Sequence, residues 1–494
     1  MRVCHGVTAV FDDPNLVSCA GLAPVLQLAE RAGFQNLVAN HVRIGKVGGA
    51  RPVLKVPALV AGMIAGADSI DDMALLRHGA MSRLFDGIRA PSTLGTFLRT
   101  FTFGHVRQLD AVASRMLINL TRVAPLLPGI GELAYVDVDD TVRQTYGYAK
   151  QGAGRGYTGT KGLNVLLAIL STPTSRPLIT AARLRKGSTN SARGAHKLVS
   201  DSLVTARSCG ASGTLVLRAD SAFFQSDVIA AVLRRNACFS ITARLNTPIR
   251  KAIHAIPADA WTPIKYTNAV WDHDAHAWIS DAEVAEIEFT AFTSKAKAQQ
   301  VSARLIVHRV PDMNPANQSP LFTVYRHHAV FTNSPLPMLA AEKAHRAHAI
   351  VEQVIADLKG GPLAHLPSGK FWANSAWLVC AAMAFNLTAP RGSWLQPSTP
   401  KPRPARSALS SSTSPPGSPA RPAGSPCTYP PTGPGRANGN SSTPEPHHPP
   451  RPDPDHLPHR PTERPENAGP AGHTNTPTTA RTSQALRTVH EIRS

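Results

Sequence analysis

The sequence predicts an α/β fold in which a mixed β-sheet core is interrupted by a β-rich insertion. Strand and helix patterns alternate in residues 131–244, whereas residues 245–337 carry short runs of Thr, Val, Ile and Phe separated by turn residues. Helical periodicity dominates residues 1–130 and returns in residues 338–389. No periodicity survives in residues 390–494, where Pro, Ser, Thr, Arg and Gly prevail. We therefore expect an N-terminal helical domain, a core split by its insertion, two helices that complete the core, and a disordered tail.

The formal net charge of +20 is the strongest compositional signal of function. A charge of this size indicates a polyanionic partner, most often nucleic acid and less often an anionic membrane surface. A generally Arg-enriched proteome would account for part of it. Six cysteines without metal-finger spacing indicate reduced thiols in a cytosolic protein, and the longest apolar runs are too short to cross a bilayer.

The N-terminal region is predicted from five helical patterns. Gly33 ends the first as a C-cap, and Ser69 begins the third with Asp71 and Asp72 in its first turn. Arginines recur along the last two patterns, which fits a DNA-contacting region and fits a plain helical domain nearly as well. The predicted helices are Leu16–Gly33, Pro57–Ala67, Ser69–Leu84, Pro91–Phe103 and Val106–Leu120.

The core is predicted to begin with an acidic strand. Leu133–Thr141 alternates polar and apolar side chains with period two, and the polar ones include Asp137 and Asp139. A Gly-rich basic loop follows at residues 146–162, without the GxxxxGK[ST] pattern of nucleotide-phosphate loops. The next predicted strands are Leu163–Leu170, Pro177–Leu184, Thr214–Ala219 and Cys238–Ala243, with helices near residues 194–207 and 226–235. The insertion adds the strands Glu283–Phe292, Ala303–Val310 and Leu321–Phe331.

Ala344–Lys359 is predicted to be an amphipathic helix, followed by a second helix at Phe371–Leu387. His345, His348, Glu352 and Lys359 recur at spacings near whole helical turns and therefore share a polar face opposite the apolar stripe. An ordinary solvated face is the plain alternative. A His-x-x-His zinc site with Glu352 is a weaker one, since neither HExxH nor a third ligand set is present.

Two strand ends and this helix carry the candidate chemistry. Asp139 lies at the end of the first core strand and Asp220 at the end of the fourth, so their carboxylates converge if these strands are neighbours. Glu352 can then close the site from the helix. Three carboxylates suit two Mg²⁺ ions, with Mn²⁺ as a substitute, and such ions activate the attacking oxygen in phosphodiester cleavage. Asp137 and Asp140 compete with Asp139 for the first role, and Asp220 could instead be a turn or cap residue.

Cationic and imidazole side chains near these carboxylates are candidates for contacts to DNA phosphates. Some lie on the helix that carries Glu352, and others lie in the Gly-rich loop or in the small polar stretch after the third strand. They are His345, Arg346, His348, Lys359, Lys161, Lys186 and Arg193.

Three motifs together resemble the DDE transposases of bacterial insertion sequences. They are Val136–Val142 (VDVDDTV), Leu217–Phe223 (LRADSAF) and Ala344–Lys359 (AHRAHAIVEQVIADLK). The resemblance spans roughly residues 10–388 and implies a ribonuclease-H-like catalytic core whose β insertion precedes the catalytic Glu.

The family motifs map onto individual residues of this chain. The first Asp, two residues before a Thr, corresponds to Asp139, the second to Asp220, and the Glu followed by a Lys to Glu352 and Lys359. A related signature has Tyr and Arg upstream of the Glu, where this chain has His345 and His348. That departure concerns the phosphate contacts and leaves the metal-binding triad intact.

The resemblance implies metal-dependent hydrolysis of a DNA strand at the element's end, then attack of the freed 3′-hydroxyl on another phosphodiester. The N-terminal region would recognise terminal inverted repeats of double-stranded DNA, and a homodimer would hold paired ends in the bacterial cytoplasm, at the nucleoid. The alternatives are a ribonuclease-H-like DNA nuclease without strand transfer and a non-catalytic DNA-binding remnant of a transposon.

The tail departs from the resemblance. Relatives continue with ordered, basic helical sequence, whereas here low complexity begins directly after Leu387. We hypothesise that a frameshift replaced the native C-terminus, which could leave this copy defective. A periodic helical sequence in another reading frame beyond codon 390 would support the hypothesis, and its absence from every frame would refute it.

Overall fold

The computed structural model describes residues 15–45, 49–146, 150–156, 159–265, 271–272, 277–278, 282–311 and 324–395. The predicted disordered tail lies outside these residues from position 396 onward, as do parts of the Gly-rich loop and of the insertion. All described residues belong to one compact unit, Met1–Arg403.

A ten-stranded mixed sheet forms the centre of the described chain. The strands are β1 Leu133–Gln144, β2 Gly154–Arg155, β3 Lys161–Ser171, β4 Leu178–Lys186, β5 Thr214–Ala219, β6 Cys238–Ala243, β7 Thr262–Ile264, β8 Trp271–Asp272, β9 Ala277–Trp278, β10 Ala282–Ala291, β11 Val301–Pro311 and β12 Tyr325–Thr332. The order in the sheet is β2-β3-β1-β5-β6-β12-β11-β10-β7, and β4 also pairs with β3, while β8 and β9 form a separate two-stranded antiparallel sheet. This confirms the predicted α/β class.

The two Asp-bearing strands are neighbours. β1 pairs in parallel with β5, and β5 pairs in parallel with β6, while β3 runs antiparallel on the other side of β1. β3 is almost wholly buried because helices cover both of its faces, which explains why its sequence shows a continuous apolar run rather than alternation.

The helices form a layer on each face of the sheet. The helices on one face include α7 (Ala195–Ser208) and α8 (Ser226–Leu233), which pack on a core that contains Val136, Val138 and Leu217. The other face is covered by the N-terminal helices together with α11 (Ile350–Lys359) and α12 (Phe371–Leu395). The helices are α1 Leu22–Arg31, α2 Phe34–His41, α3 Pro52–Ile64, α4 Met81–Leu84, α5 Pro91–Arg99, α6 Phe103–Val123, α7 Ala195–Ser208, α8 Ser226–Leu233, α9 Thr247–His254, α10 Met338–Arg346, α11 Ile350–Lys359 and α12 Phe371–Leu395. None of these helices is long and apolar enough to cross a membrane.

The N-terminal helices share their core with the sheet. Leu59, Phe97 and Leu109 lie in the same buried cluster as Leu167 of β3 and Trp377 of α12. Because the exposed fraction of each of these side chains is zero, the helical region is packed as part of the same body.

Two predicted helices are each divided into separate segments in the structure, and several others differ in their ends. Ser69–Leu84 is a 3₁₀ segment at Asp71–Arg77 and the single turn of α4, separated by Gly79, whose φ is +57°. Ala344–Lys359 is also not one helix, because a 3₁₀ turn at Ala347–Ala349 lies between α10 and α11.

The β-rich insertion continues the central sheet. β12 pairs antiparallel with β6, with Phe331 opposite Ile241, and β11 and β10 follow on the outside. The last strand of the insertion therefore lies directly beside the core, and the chain runs from it into α10 and α11.

Candidate active site

Asp139 and Asp220 lie at the same level on adjacent strands. β1 and β5 pair in register up to Val138 and Ala219, so the next residue of each strand is one of the two aspartates. β5 ends there, whereas β1 continues to Gln144 along β3. The end of β5 therefore opens a gap in the sheet beside Asp139.

Each of the two neighbouring aspartates of β1 forms an ion pair with an arginine. Asp137 is fully buried and receives two hydrogen bonds from Arg218, of 2.6 and 2.7 Å. Asp140 accepts hydrogen bonds from Arg185, at 2.6 Å, and also from Asn164 and Ser191.

Asp139, in contrast, forms no ion pair with any described residue and accepts a hydrogen bond from the backbone N–H of Asp140. Of the three candidate aspartates on β1, it is the one that forms no ion pair with an arginine.

Asp220 directly follows β5, as predicted, and it also caps the turn that comes next. It precedes a 3₁₀ turn at Ser221–Phe223, and its Oδ1 accepts a hydrogen bond of 3.0 Å from the Ala222 N–H. Its Oδ2 has no hydrogen-bond partner among the described residues. A cap that uses one carboxylate oxygen leaves the second available to a ligand.

Glu352 lies in the first turn of α11, and its side chain is exposed. The opposite side of α11, which includes Val351 and Val354, is buried on the sheet. The pKa of Asp139 is raised to about 7, mainly by burial and also by the negative charges of Asp220, Asp140 and Glu352. Asp220 and Glu352 are thus close enough to Asp139 to affect it electrostatically.

The donor set fits a hard divalent cation in its chemistry. It consists of carboxylate oxygens, and a bound cation would offset the repulsion that raises the pKa of Asp139. Within the described residues, however, no group of three His, Cys, Asp or Glu side chains is already arranged to hold a metal ion.

His345 lies in the interior and not on the DNA-contacting surface that the sequence predicts. Only 5% of its surface is exposed, and its ring nitrogens are hydrogen-bonded to Ser240 Oγ at 3.0 Å and Thr242 Oγ1 at 2.9 Å. Both hydroxyls belong to β6. Both ring nitrogens of His345 are therefore engaged by β6, which supports neither the predicted DNA contact nor the zinc alternative.

Two buried polar contacts attach the end of α10 to the sheet. The first joins His345 to the two hydroxyls of β6. The second is Arg218 of β5, which donates a 2.6 Å hydrogen bond to the Ala344 carbonyl while it pairs with Asp137. Together they fix the chain just before the 3₁₀ turn that leads to Glu352.

His348 and Lys359 flank the carboxylates. His348 Nδ1 donates to the His345 carbonyl at 2.8 Å, and its ring lies 5.0 Å from that of His345. The pKa of Asp220, raised by burial, is held down in part by the nearby His348. Burial and the neighbouring Arg143 lower the pKa of Lys359, while Asp139 partly offsets this, so Lys359 is near both Asp139 and Arg143.

The remaining predicted phosphate contacts lie farther from the carboxylates. Lys161 begins β3 and Lys186 ends β4, at the end of the sheet that β1 reaches after Asp139. Lys186 and Arg193 are exposed. Arg346 is exposed and forms a 2.6 Å ion pair with Glu342.

The chain matches the family model described as transposase DDE domain, group 1, over residues 4–408. It belongs to that family. The comparison with curated proteins yields no match. The transposase match covers the N-terminal helices, the whole sheet and the helices that carry and follow Glu352, so fold and family agree over the described chain.

Two site residues of this transposase were not predicted from the sequence. Arg218 neutralises Asp137, and Arg143 lies beside Lys359 while its guanidinium donates to the Ala364 carbonyl. Arg218 had a detectable signal, because an arginine inside a buried apolar strand needs an acidic partner. Arg143 had none, since it falls where the strand was predicted to have ended.

Proposed function

We propose that this transposase catalyses Mg²⁺-dependent DNA strand cleavage and strand transfer at the ends of an insertion sequence. The observation that carries the proposal is the position of Asp139 and Asp220 at one level of two adjacent parallel strands, with Glu352 near enough to perturb Asp139. Neighbouring acids that carry no arginine are costly to keep charged, and a cation site is the usual reason for such an arrangement.

Asp139, Asp220 and Glu352 would hold the ions. When bound, two Mg²⁺ ions supply activation of the attacking oxygen and stabilisation of the leaving one. Asp139, beside the end of β5, would provide one oxygen ligand, and Glu352, exposed on α11, would provide another. His348 and Lys359 would supply hydrogen-bond donors to a DNA phosphate.

The substrate is double-stranded DNA, first at terminal inverted repeats and then at the target. The net charge of +20 supports a polyanionic partner. Recognition of the repeats is assigned to the N-terminal helices, phosphate contacts to Lys161, Lys186, Arg193 and Arg346, and pairing of the ends to a homodimer. The reaction would take place at the nucleoid in the bacterial cytoplasm.

A cleavage and joining assay tests the proposal. Incubation of the full chain with its element-end DNA and Mg²⁺ should give nicked or excised ends and joined products. Asp139→Asn, Asp220→Asn and Glu352→Gln should each lower the cleavage rate by at least about a hundredfold, since each removes a charged ligand. Mn²⁺ should replace Mg²⁺.

Asp357→Asn is the matched control. Asp357 is exposed on α11 like Glu352 and is hydrogen-bonded to Gln353, so its replacement should leave the cleavage rate near that of the wild type. Cleavage without joined products would indicate a nuclease that lacks strand transfer. DNA binding without cleavage, unchanged by Asp220→Asn, would indicate a non-catalytic remnant.

A further inference from the structure

Two large aromatic side chains far apart in the sequence meet at the surface. Phe103 begins α6 and is 60% exposed, and Trp372 lies at the start of α12 and is 36% exposed. Their ring centroids are 5.5 Å apart with an interplanar angle of 62°. Rings in this edge-to-face arrangement support each other and still present apolar surface to solvent.

The contacts of Phe371 fix the position of the neighbouring Trp372. The Phe371 ring packs edge-on to the Trp372 ring at 4.9 Å, and a Cβ added at Gly152 would lie 2.8 Å from the Phe371 ring. The Phe371 N–H donates to Gln151 Oε1, and the Gln151 N–H donates to the Gly369 carbonyl. These contacts tie the start of α12 to the Gly-rich loop, so the exposed rings have a firm support.

Several cationic side chains occur between the carboxylates and the start of α12. Lys359 is near Asp139 and Arg143, and Arg143 donates a hydrogen bond to the Ala364 carbonyl. The ammonium of Lys150 then donates to the Leu366 carbonyl, and the exposed Lys370 adjoins the aromatic residues.

The length of β1 beyond Asp139 gives a scale for the distance between the carboxylates and the Gly-rich loop that supports Phe371. The strand continues for five residues from Asp139 to Gln144, which is about 17 Å at ~3.4 Å per residue. At about 3.4 Å per nucleotide along one strand, this corresponds to roughly five nucleotides.

We propose that Phe103 and Trp372 form a stacking platform for an unpaired base of the DNA strand that occupies the site, about five nucleotides from the cleaved phosphate. The inference rests on the proposed function, because it requires DNA at the carboxylates. An exposed apolar pair beside a line of cations matches the two faces of a nucleic acid, in which bases stack on aromatic rings and phosphates pair with cations.

The test compares DNA with and without unpaired bases. The full chain is titrated with a dye-labelled blunt duplex and with the same duplex carrying a six-nucleotide single-stranded extension, placed at either 3′ or 5′ end. Trp372→Ala and Phe103→Ala should weaken binding of one extended duplex by about fivefold or more, in line with the loss of one base stack. Binding of the blunt duplex should stay within twofold of the wild type.

A fluorescence measurement distinguishes the loss of base stacking from a loss of folding. A 2-aminopurine placed in the extension should lose fluorescence on binding to the wild type, keep that loss with Trp372→Phe, and not show it with Trp372→Ala. Leu233→Ala, a change at a 43% exposed side chain of α8, is the matched control and should behave like the wild type. Far-UV circular dichroism checks that each variant is folded.

Three results would overturn the platform. The first is equal weakening of blunt and extended duplexes in folded variants, and the second is no weakening of either. The third is loss of self-association in sedimentation velocity with unchanged DNA binding, which would make the aromatic pair a contact between copies of the chain. Asp139→Asn tests the proposed function separately, since its loss of cleavage does not depend on Trp372.

Discussion

Three aspartates within a short stretch of β1 have three different surroundings. Asp137 pairs with the buried Arg218 and Asp140 pairs with Arg185, whereas Asp139 forms no ion pair and accepts a hydrogen bond from a backbone N–H. In the sequence these three aspartates are chemically equivalent. Only the arginines of β4 and β5, brought alongside by the sheet, distinguish them.

Removal of Asp137 should strongly destabilise the protein. Arg218 would remain buried with its charge uncompensated, and we expect Asp137→Ala to reduce the free energy of unfolding by about 3–5 kcal/mol. Urea unfolding followed by circular dichroism measures this loss. The double variant Asp137→Leu/Arg218→Met should recover part of it, and a single variant within 1 kcal/mol of the wild type would contradict the assignment.

His345 should make the fold sensitive to acid. Burial lowers its pKa to about 3, so the folded state holds it neutral while the unfolded chain takes up a proton below about pH 6.5. The stability that neutral His345 contributes is therefore present above pH 6.5 and is lost as the pH falls toward 3. His345→Gln should remove up to about 1.4 kcal/mol per pH unit of that decline.

Urea unfolding between pH 7.5 and 4.5 measures the slope. Ser240→Ala serves as the control, because it removes one hydrogen bond to His345 and should lower stability while the slope is retained. Equal slopes in the wild type and His345→Gln would show that another group is responsible.

At the scale of elements, the regular strands were predictable and the break near Glu352 was not. Thr214–Ala219 and Cys238–Ala243 were predicted with their observed ends, because their apolar runs are bounded by turn residues. Ala347–Ala349, in contrast, consists of residues that favour helix. The 3₁₀ turn there follows the two buried contacts that fix the end of α10, and no local pattern encodes contacts made to β5 and β6.

Glycines let two chain segments cross closely beside the Gly-rich loop. A Cβ at Gly187 would lie 1.9 Å from the Gly162 carbonyl oxygen and 2.4 Å from that of Gly154. Gly187→Ala should therefore push β2 away from β4 and lower the free energy of unfolding by about 1–3 kcal/mol. Thermal unfolding measures the effect. Gly360→Ala, whose added Cβ would meet nothing closer than 3.4 Å, is the matched control and should leave stability unchanged.

At the scale of the whole molecule, the sequence predicts the segments but not how they are joined. The N-terminal helices were predicted from their periodicity, yet their packing against Leu167 and Trp377 depends on contacts between residues far apart in the chain. In the same way, alternation in the insertion predicts strands, whereas the pairing of β12 with β6 follows from geometry that alternation does not contain.

This packing predicts different outcomes for two truncations. A chain that begins at residue 131 would expose the buried side chains that contact Leu59, Phe97 and Leu109, and we expect it to aggregate or to lack cooperative unfolding. A chain that ends at Arg403 keeps the whole compact unit and should unfold at the wild-type temperature. Size-exclusion chromatography and calorimetry measure both, and a cooperative melt of the first truncation would contradict the shared core.

The pairing of β12 with β6 has a consequence for the evolution of such a chain. Glu352 is placed by hydrogen bonds between two strands and by the anchors that follow them, so its location does not depend on how many residues separate it from Asp220. Loops within the inserted segment could lengthen or shorten, and acquire new partners, while the third acid stayed where the chemistry requires it.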